Sequence, residues 1–117
     1  MTTQQVANRL VELCRQGKIF EAIQEFYGED IESIEPAHAP TKSAKGLANV
    51  MAKGQQFASM IEETHGGTFS DPIVCGKHFS VAMTLDATFK GMGRMSFEEI
   101  CVYEVKDGKI IFEQFFF

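Results

Sequence analysis

The sequence has no tryptophan, three prolines, three cysteines and two tyrosines among its 117 residues. Each scarcity excludes something. Cys14, Cys75 and Cys101 are odd in number, far apart and never in a CxxC pair. They read as reduced thiols of a cytoplasmic protein rather than a disulfide framework or a zinc site. The three histidines show no HxH or HExxH spacing, so no metal is expected. Positive charge is in deficit, with 11 Lys and Arg against 16 Asp and Glu and a net charge of −5. Nucleic acid and acidic membrane both need a basic footprint, and neither is expected as a partner. No apolar run approaches the roughly 20 residues that span a bilayer. The opening MTTQQVANRL is polar and has no apolar signal-peptide region. Gly91-Met92-Gly93 precedes no helix, so it is a turn rather than a phosphate loop, and no cofactor is expected.

What is present is ordinary globular material, 44% apolar and 23% charged, which suits one domain over residues 1–117. Thr2 and Gln5 form a capping box, and Val6, Leu10, Leu13 and Cys14 recur at helical spacing up to Gly17. A second short helix carries Ile19, Ile23, Phe26 and Tyr27 and stops at Gly28. Ile31 to Glu35 is a brief strand closed by Pro36, and residues 37–43 form a loop. Leu47, Val50, Met51, Gly54, Phe57, Ala58 and Ile61 mark a third helix. Thr68–Cys75, His78–Phe89, Arg94–Lys106 and Lys109–Phe117 then read as four strands joined by turns at Gly76-Lys77, residues 90–93 and Asp107-Gly108.

Helices followed by hairpins predict an α+β fold. Twelve residues of strand reach roughly 40 Å, whereas a compact chain of this length is roughly 35 Å across. The sheet should therefore curl, with the N-terminal helices in its concave face, as a cone with an apolar pocket at its open end. Strand alternation sends Phe79, Val81, Met83, Leu85, Ala87 and Phe89 inward, and Met95, Phe97, Glu99, Cys101, Tyr103 and Val105 beside them. The last strand has two registers. A two-residue turn turns Phe112, Gln114 and Phe116 inward; a three-residue loop with a bulge at Gly108 turns Ile111, Glu113, Phe115 and Phe117 inward.

The segment QGKIFEAIQEFYGEDIESIEP (residues 16–36) resembles the opening of the nuclear transport factor 2-like superfamily. The closing VYEVKDGKIIFEQ (102–114) resembles the final hairpin of its SnoaL-like polyketide cyclases and ketosteroid isomerases. The resemblance implies a cystatin-like roll, helices under a curved, mostly antiparallel sheet, and a homodimer through the outer sheet face. It also implies that Glu35, before Pro36, stands where the isomerases keep their general base. Their oxyanion tyrosine falls near Leu10 and their neutral carboxylic acid near Cys101. Neither Leu10 nor Cys101 is a strong hydrogen-bond donor, so the standard steroid isomerase is disfavoured. The same matching favours the register that turns Glu113 inward.

The candidate catalytic groups are Glu35, Glu99 and Glu113; the last two interrupt apolar rows, and a buried carboxylate requires a partner. His38, His65 and His78 sit in a loop or at strand ends, where solvation is the plain reading. Cys101 faces inward without an evident histidine, and buried thiols are inert. The candidate ligand-binding residues are Leu10, Phe57, Phe79, Val81, Met83, Phe97, Cys101 and Phe115. A small apolar or aromatic molecule is the expected ligand, bound without chemistry or as an unknown substrate. The alternative is an isomerase, cyclase or lyase acting on a small carbonyl compound with a pocket glutamate as base.

Overall fold

The computed structural model describes residues 1–117 as three helices over one seven-stranded sheet. Helix α1 (Thr3–Arg15) begins at the capping box: the Thr2 hydroxyl accepts from the Gln5 amide while the Gln5 side chain accepts from the Thr2 amide. It ends at Gln16, and Gly17 follows at φ 75°, the left-handed residue that commonly closes a helix. Helix α2 (Ile19–Phe26) follows at once. After it come strands β1 (Tyr27–Ile34) and β2 (Ala44–Lys45), helix α3 (Leu47–Met60), and strands β3 (Ile61–Phe69), β4 (Ile73–Cys75), β5 (His78–Phe89), β6 (Gly93–Lys106) and β7 (Lys109–Phe116).

The strand order is β2-β1-β7-β6-β5-β3, with β4 also on β5. Every pairing is antiparallel except β1 with β7. The core forms where α1 and α2 press Val6, Ala7, Leu10, Val11, Ala22, Ile23 and Phe26 onto the inward rows of the sheet. No helix is long and apolar enough to cross a membrane.

The strands differ from expectation in three places. Tyr27 and Gly28 already belong to β1, because the chain passes from α2 into extended backbone without a turn. The expected strand Thr68–Cys75 is the end of β3 and the separate β4, broken at 70–72, where Pro72 cannot donate to a ladder. Strand β3 starts at Ile61, inside the segment read as helix, and lies on the edge of the sheet with charged Glu62 and Glu63 exposed. Gly67 there is required by close approach: a Cβ would meet the Thr84 carbonyl oxygen at 2.9 Å.

The molecule is also longer than a sphere of its mass, 41 × 26 × 24 Å. A twelve-residue strand therefore fits along the long axis, and only the fourteen-residue β6 exceeds it. Strand length alone thus argues for curvature less strongly than supposed, although the mostly antiparallel sheet does curve around the helices as an α+β cone.

The last hairpin combines both anticipated registers. Asp107 (φ 51°) and Gly108 (φ 76°) form a two-residue turn with Lys106 opposite Lys109, the left-handed pair such hairpins favour. Val105 then faces Ile110, but Glu104 faces Phe112, so Ile111 is an extra residue in a β-bulge. Beyond it Tyr103 pairs with Glu113 and Cys101 with Phe115. The bulge, rather than a longer loop, turns Glu113 inward.

Candidate functional site

Between the helices and the concave sheet face lies a cavity of about 220 Å³. Of its 24 lining residues 17 are hydrophobic, which fixes its character as apolar. Glu35, Glu99 and Glu113 all line it, as do Leu10, Phe57, Val81, Met83, Phe97, Cys101 and Phe115. Phe79 does not. It is fully buried in the core below, stacked on Tyr103 with ring centroids 4.7 Å apart. It shares the inward row with Val81 and Met83, but the helices cover its end of the strand.

Glu113 is the most enclosed of the three acids, 4% exposed. The Tyr27 hydroxyl donates to Oε1 at 2.6 Å and reaches Oε2 at 3.2 Å, and the Ser33 hydroxyl donates to Oε2 at 3.3 Å. Burial pushes its pKa up to about 7, and the Tyr27 bond, the Lys53 charge and the Ser33 bond only partly offset that rise. Burial, and then the neighbouring Glu113 charge, raise Tyr27 well above the ordinary range, so it remains a hydrogen-bond donor.

Glu35 directly follows β1 with its side chain 10% exposed, and Lys53 from α3 donates to its Oε1 at 3.0 Å. Lys53 also donates to the Ser33 hydroxyl and lies 5.5 Å from the centroid of the Phe115 ring. Ser33 thus joins the Glu35–Lys53 pair to Glu113. Glu99 lines the same cavity with the Cys101 thiol 3.5 Å away; burial raises its pKa, the Cys101 bond and the Lys53 charge oppose that rise, and the Glu35 charge adds to it. The Cys101 thiol is itself pushed far up, first by burial and then by Glu99. No three His, Cys, Asp or Glu side chains converge as a metal site.

The three histidines lie outside the cavity. His38 sits edge-on to Phe117 with centroids 5.5 Å apart, His65 meets the Thr88 hydroxyl at 2.7 Å, and His78 approaches Glu104 at 3.4 Å. His38 is not hydrogen-bonded to Glu35, whose carboxylate accepts from Lys53.

Sequence reasoning overlooked Tyr27, Ser33 and Lys53. Lys53 is three residues after Val50 and four before Phe57, so it falls on the apolar stripe of α3, and a lysine there needs a buried partner. Ser33 shares the inward row of β1 with Ile31 and Glu35. Tyr27 gave no such signal, since its place on the stripe of α2 suited a helix equally well.

The sequence profile of the SnoaL-like domain matches residues 1–117. A Mesorhizobium loti protein named as a SnoaL-like polyketide cyclase, with carbohydrate phosphatase given in brackets, has a solved structure that superposes with TM-score 0.94 and 32% identity, covering all of both chains. A nuclear transport factor 2-like protein of unknown function from Burkholderia pseudomallei gives TM-score 0.79 at 16% identity, over 100% of this chain and 92% of the other. A Xanthomonas campestris protein with a cystatin-like fold gives 0.75 at 17% identity, over 99% and 90%. No protein of curated function matches the chain. With the profile covering every residue and one structural relative 32% identical from end to end, the chain belongs to the SnoaL-like domain family.

Proposed function

We propose that the cavity binds one small, largely apolar carbonyl compound and that Glu113 moves a proton on it, in an isomerase, cyclase or lyase reaction. One observation carries this: a carboxyl titrating near 7 faces an apolar cavity, held by Tyr27 and Ser33. A base poised near the working pH is what proton abstraction beside a carbonyl needs. Glu35, the base by resemblance, is committed to Lys53, so the role passes to Glu113. An apolar cavity of about 150 Å³ accepts benzene, so about 220 Å³ suits a molecule of one or two rings. The polyketide-cyclase name of the Mesorhizobium loti relative supports the same class.

The test uses 2-tetralone, an aromatic ketone with acidic α-hydrogens, in D₂O. NMR should show its α-hydrogens exchanging faster with the protein than without, and Glu113→Gln should remove the acceleration while Glu21→Gln, exposed on α2 and outside the cavity, keeps it. Exchange that survives Glu113→Gln refutes the assignment. Binding without chemistry is the second reading, favoured by the absence of a strong donor at Leu10 and Cys101; it predicts saturable binding with no exchange.

We also place the chain in the cytoplasm, because its three cysteines are free, and pair it as a homodimer through the outer sheet face. On that face Ile100 (52% exposed) and Phe116 (50% exposed) are cross-strand partners, with Ala82 beside them.

A further inference from the structure

The resemblance to ketosteroid isomerases left the site short of an oxyanion donor, with leucine and cysteine where those enzymes keep theirs. A donor is present elsewhere. Lys53 projects from α3 into the cavity wall with its side chain 13% exposed. Its ammonium carries three N–H donors. One goes to Glu35 Oε1 and one to Ser33 Oγ, which leaves a third for a bound molecule. Ser33 Oγ touches both Lys53 Nζ and Glu113 Oε2, so those two atoms are no more than about 6 Å apart by hydrogen-bond geometry. A carbonyl oxygen and its adjacent carbon fit between them, oxygen toward nitrogen and C–H toward carboxylate. The Phe115 ring lies on another side of the ammonium, and its electron-rich face favours the cation.

We propose that Lys53 is the oxyanion-stabilising residue of this site, and that the substrate is therefore an enolisable ketone or aldehyde whose carbonyl oxygen binds the Lys53 ammonium. This rests on the proton-transfer function proposed above. In the step, the C–H bond beside the carbonyl breaks and its proton goes to Glu113. The electron pair forms the C=C bond, and the carbonyl electrons become a lone pair on an enolate oxygen that accepts from Lys53. One negative charge passes from Glu113 to the substrate oxygen, so the net charge of the site does not change. Glu35 holds the ammonium in place and offsets its charge while the cavity is empty. Such placement, fixed before reaction, is what makes a donor effective in a dry site.

The probe is 2-naphthol, whose ionised form resembles an enolate in shape and charge, with naphthalene as the uncharged control. In the wild type, the absorption spectrum of bound naphthol should show ionisation at a lower pH than in buffer. Lys53→Met should weaken naphtholate binding about 10- to 100-fold, the range of one charge-assisted hydrogen bond, while naphthalene binding changes less than about twofold. Lys53→Met leaves Glu35 buried without a partner and can fail to fold. The double variant Lys53→Met/Glu35→Gln removes both charges, keeps the net charge, and should show the same loss. Naphtholate binding that survives in the double variant overturns the role of Lys53. If Glu113-dependent exchange of 2-tetralone persists meanwhile, only Lys53 is refuted. If wild type binds neither probe and promotes no exchange, the proposed function fails and this inference with it.

Discussion

Replacing Glu113 by glutamine should leave stability nearly unchanged at pH 4.5 and raise it at pH 8. The folded chain holds the Glu113 proton to about pH 7, against an ordinary 4.5. The folded state therefore binds this proton more tightly than the unfolded state does. Its contribution is complete below about pH 4.5 and is lost as the pH rises through about 7. At about 1.4 kcal/mol per pH unit, the interval from 4.5 to about 7 corresponds to about 3 kcal/mol. Tyr27, Ser33 and Lys53 already act to keep the carboxyl ionised, so that figure is what remains of the desolvation cost after their help. Glutamine preserves the shape, still accepts from Tyr27 and never ionises. Urea unfolding of wild type and variant from pH 4.5 to 8.5 should give midpoints that start close together and separate with rising pH. A slope of about 1.5 kcal/mol per molar urea turns 3 kcal/mol into about 2 M. Parallel midpoints would refute the reasoning. So would a wild type that gains on the variant as pH rises, because a well-paired ionised carboxylate behaves that way.

Two further outcomes follow from burial. Cys75 is exposed, whereas burial pushes Cys14 up to about 11 and Cys101 higher still. Iodoacetamide at pH 7.5, read by mass spectrometry, should modify Cys75 first and the other two at least about 100-fold more slowly; fast labelling of Cys101 would mean that the cavity is wet. On the outer sheet face, Phe116→Asp places a charge among Ile100 and Ala82 and should convert a dimer to monomer in sedimentation velocity. A wild type that sediments as a monomer at micromolar concentration contradicts the pairing outright.

The inward row of β5 was legible because apolar and polar side chains alternate along it with Ala82 the one exception, and that of β6 because it is the more apolar of two rows despite Glu99. α1 was legible for a local reason, since Thr2 and Gln5 satisfy its first amides before any tertiary contact exists. Phe79 exposes the limit of such patterns: alternation says which way a side chain points, not whether a helix or an empty space lies opposite. Glu113 was legible only as a pair of alternatives, because Ile111 as an extra residue leaves no trace in composition or period. The start of β3 at Ile61 was hidden for a related reason. Ile61 suits the apolar stripe of α3 as well as a strand, and pairing with Phe89 decides the matter. The Lys53 network was hidden because its members come from α3, β1 and β7, and only folding brings them together.

The bulge at Ile111 makes the chemistry of the pocket depend on how one residue is accommodated. Delete that residue, and the ladder closes with its faces unchanged, Glu104 still opposite Phe112 and Tyr103 still opposite Glu113. Keep it but pair it with Glu104, and Phe112, Gln114 and Phe116 rotate to the inside while Glu113 moves to the outer face. The lining would then carry an amide and two phenyl rings in place of an acid. A lineage can thus pass between a reactive pocket and a purely adhesive one by flattening a single bulge in its last hairpin, with no substitution at any site position. For the same reason, aligning relatives by sequence across this hairpin demands care with gaps. A gap misplaced by one column pairs an acid that enters the pocket with one that faces solvent, and makes proteins of different chemistry look alike.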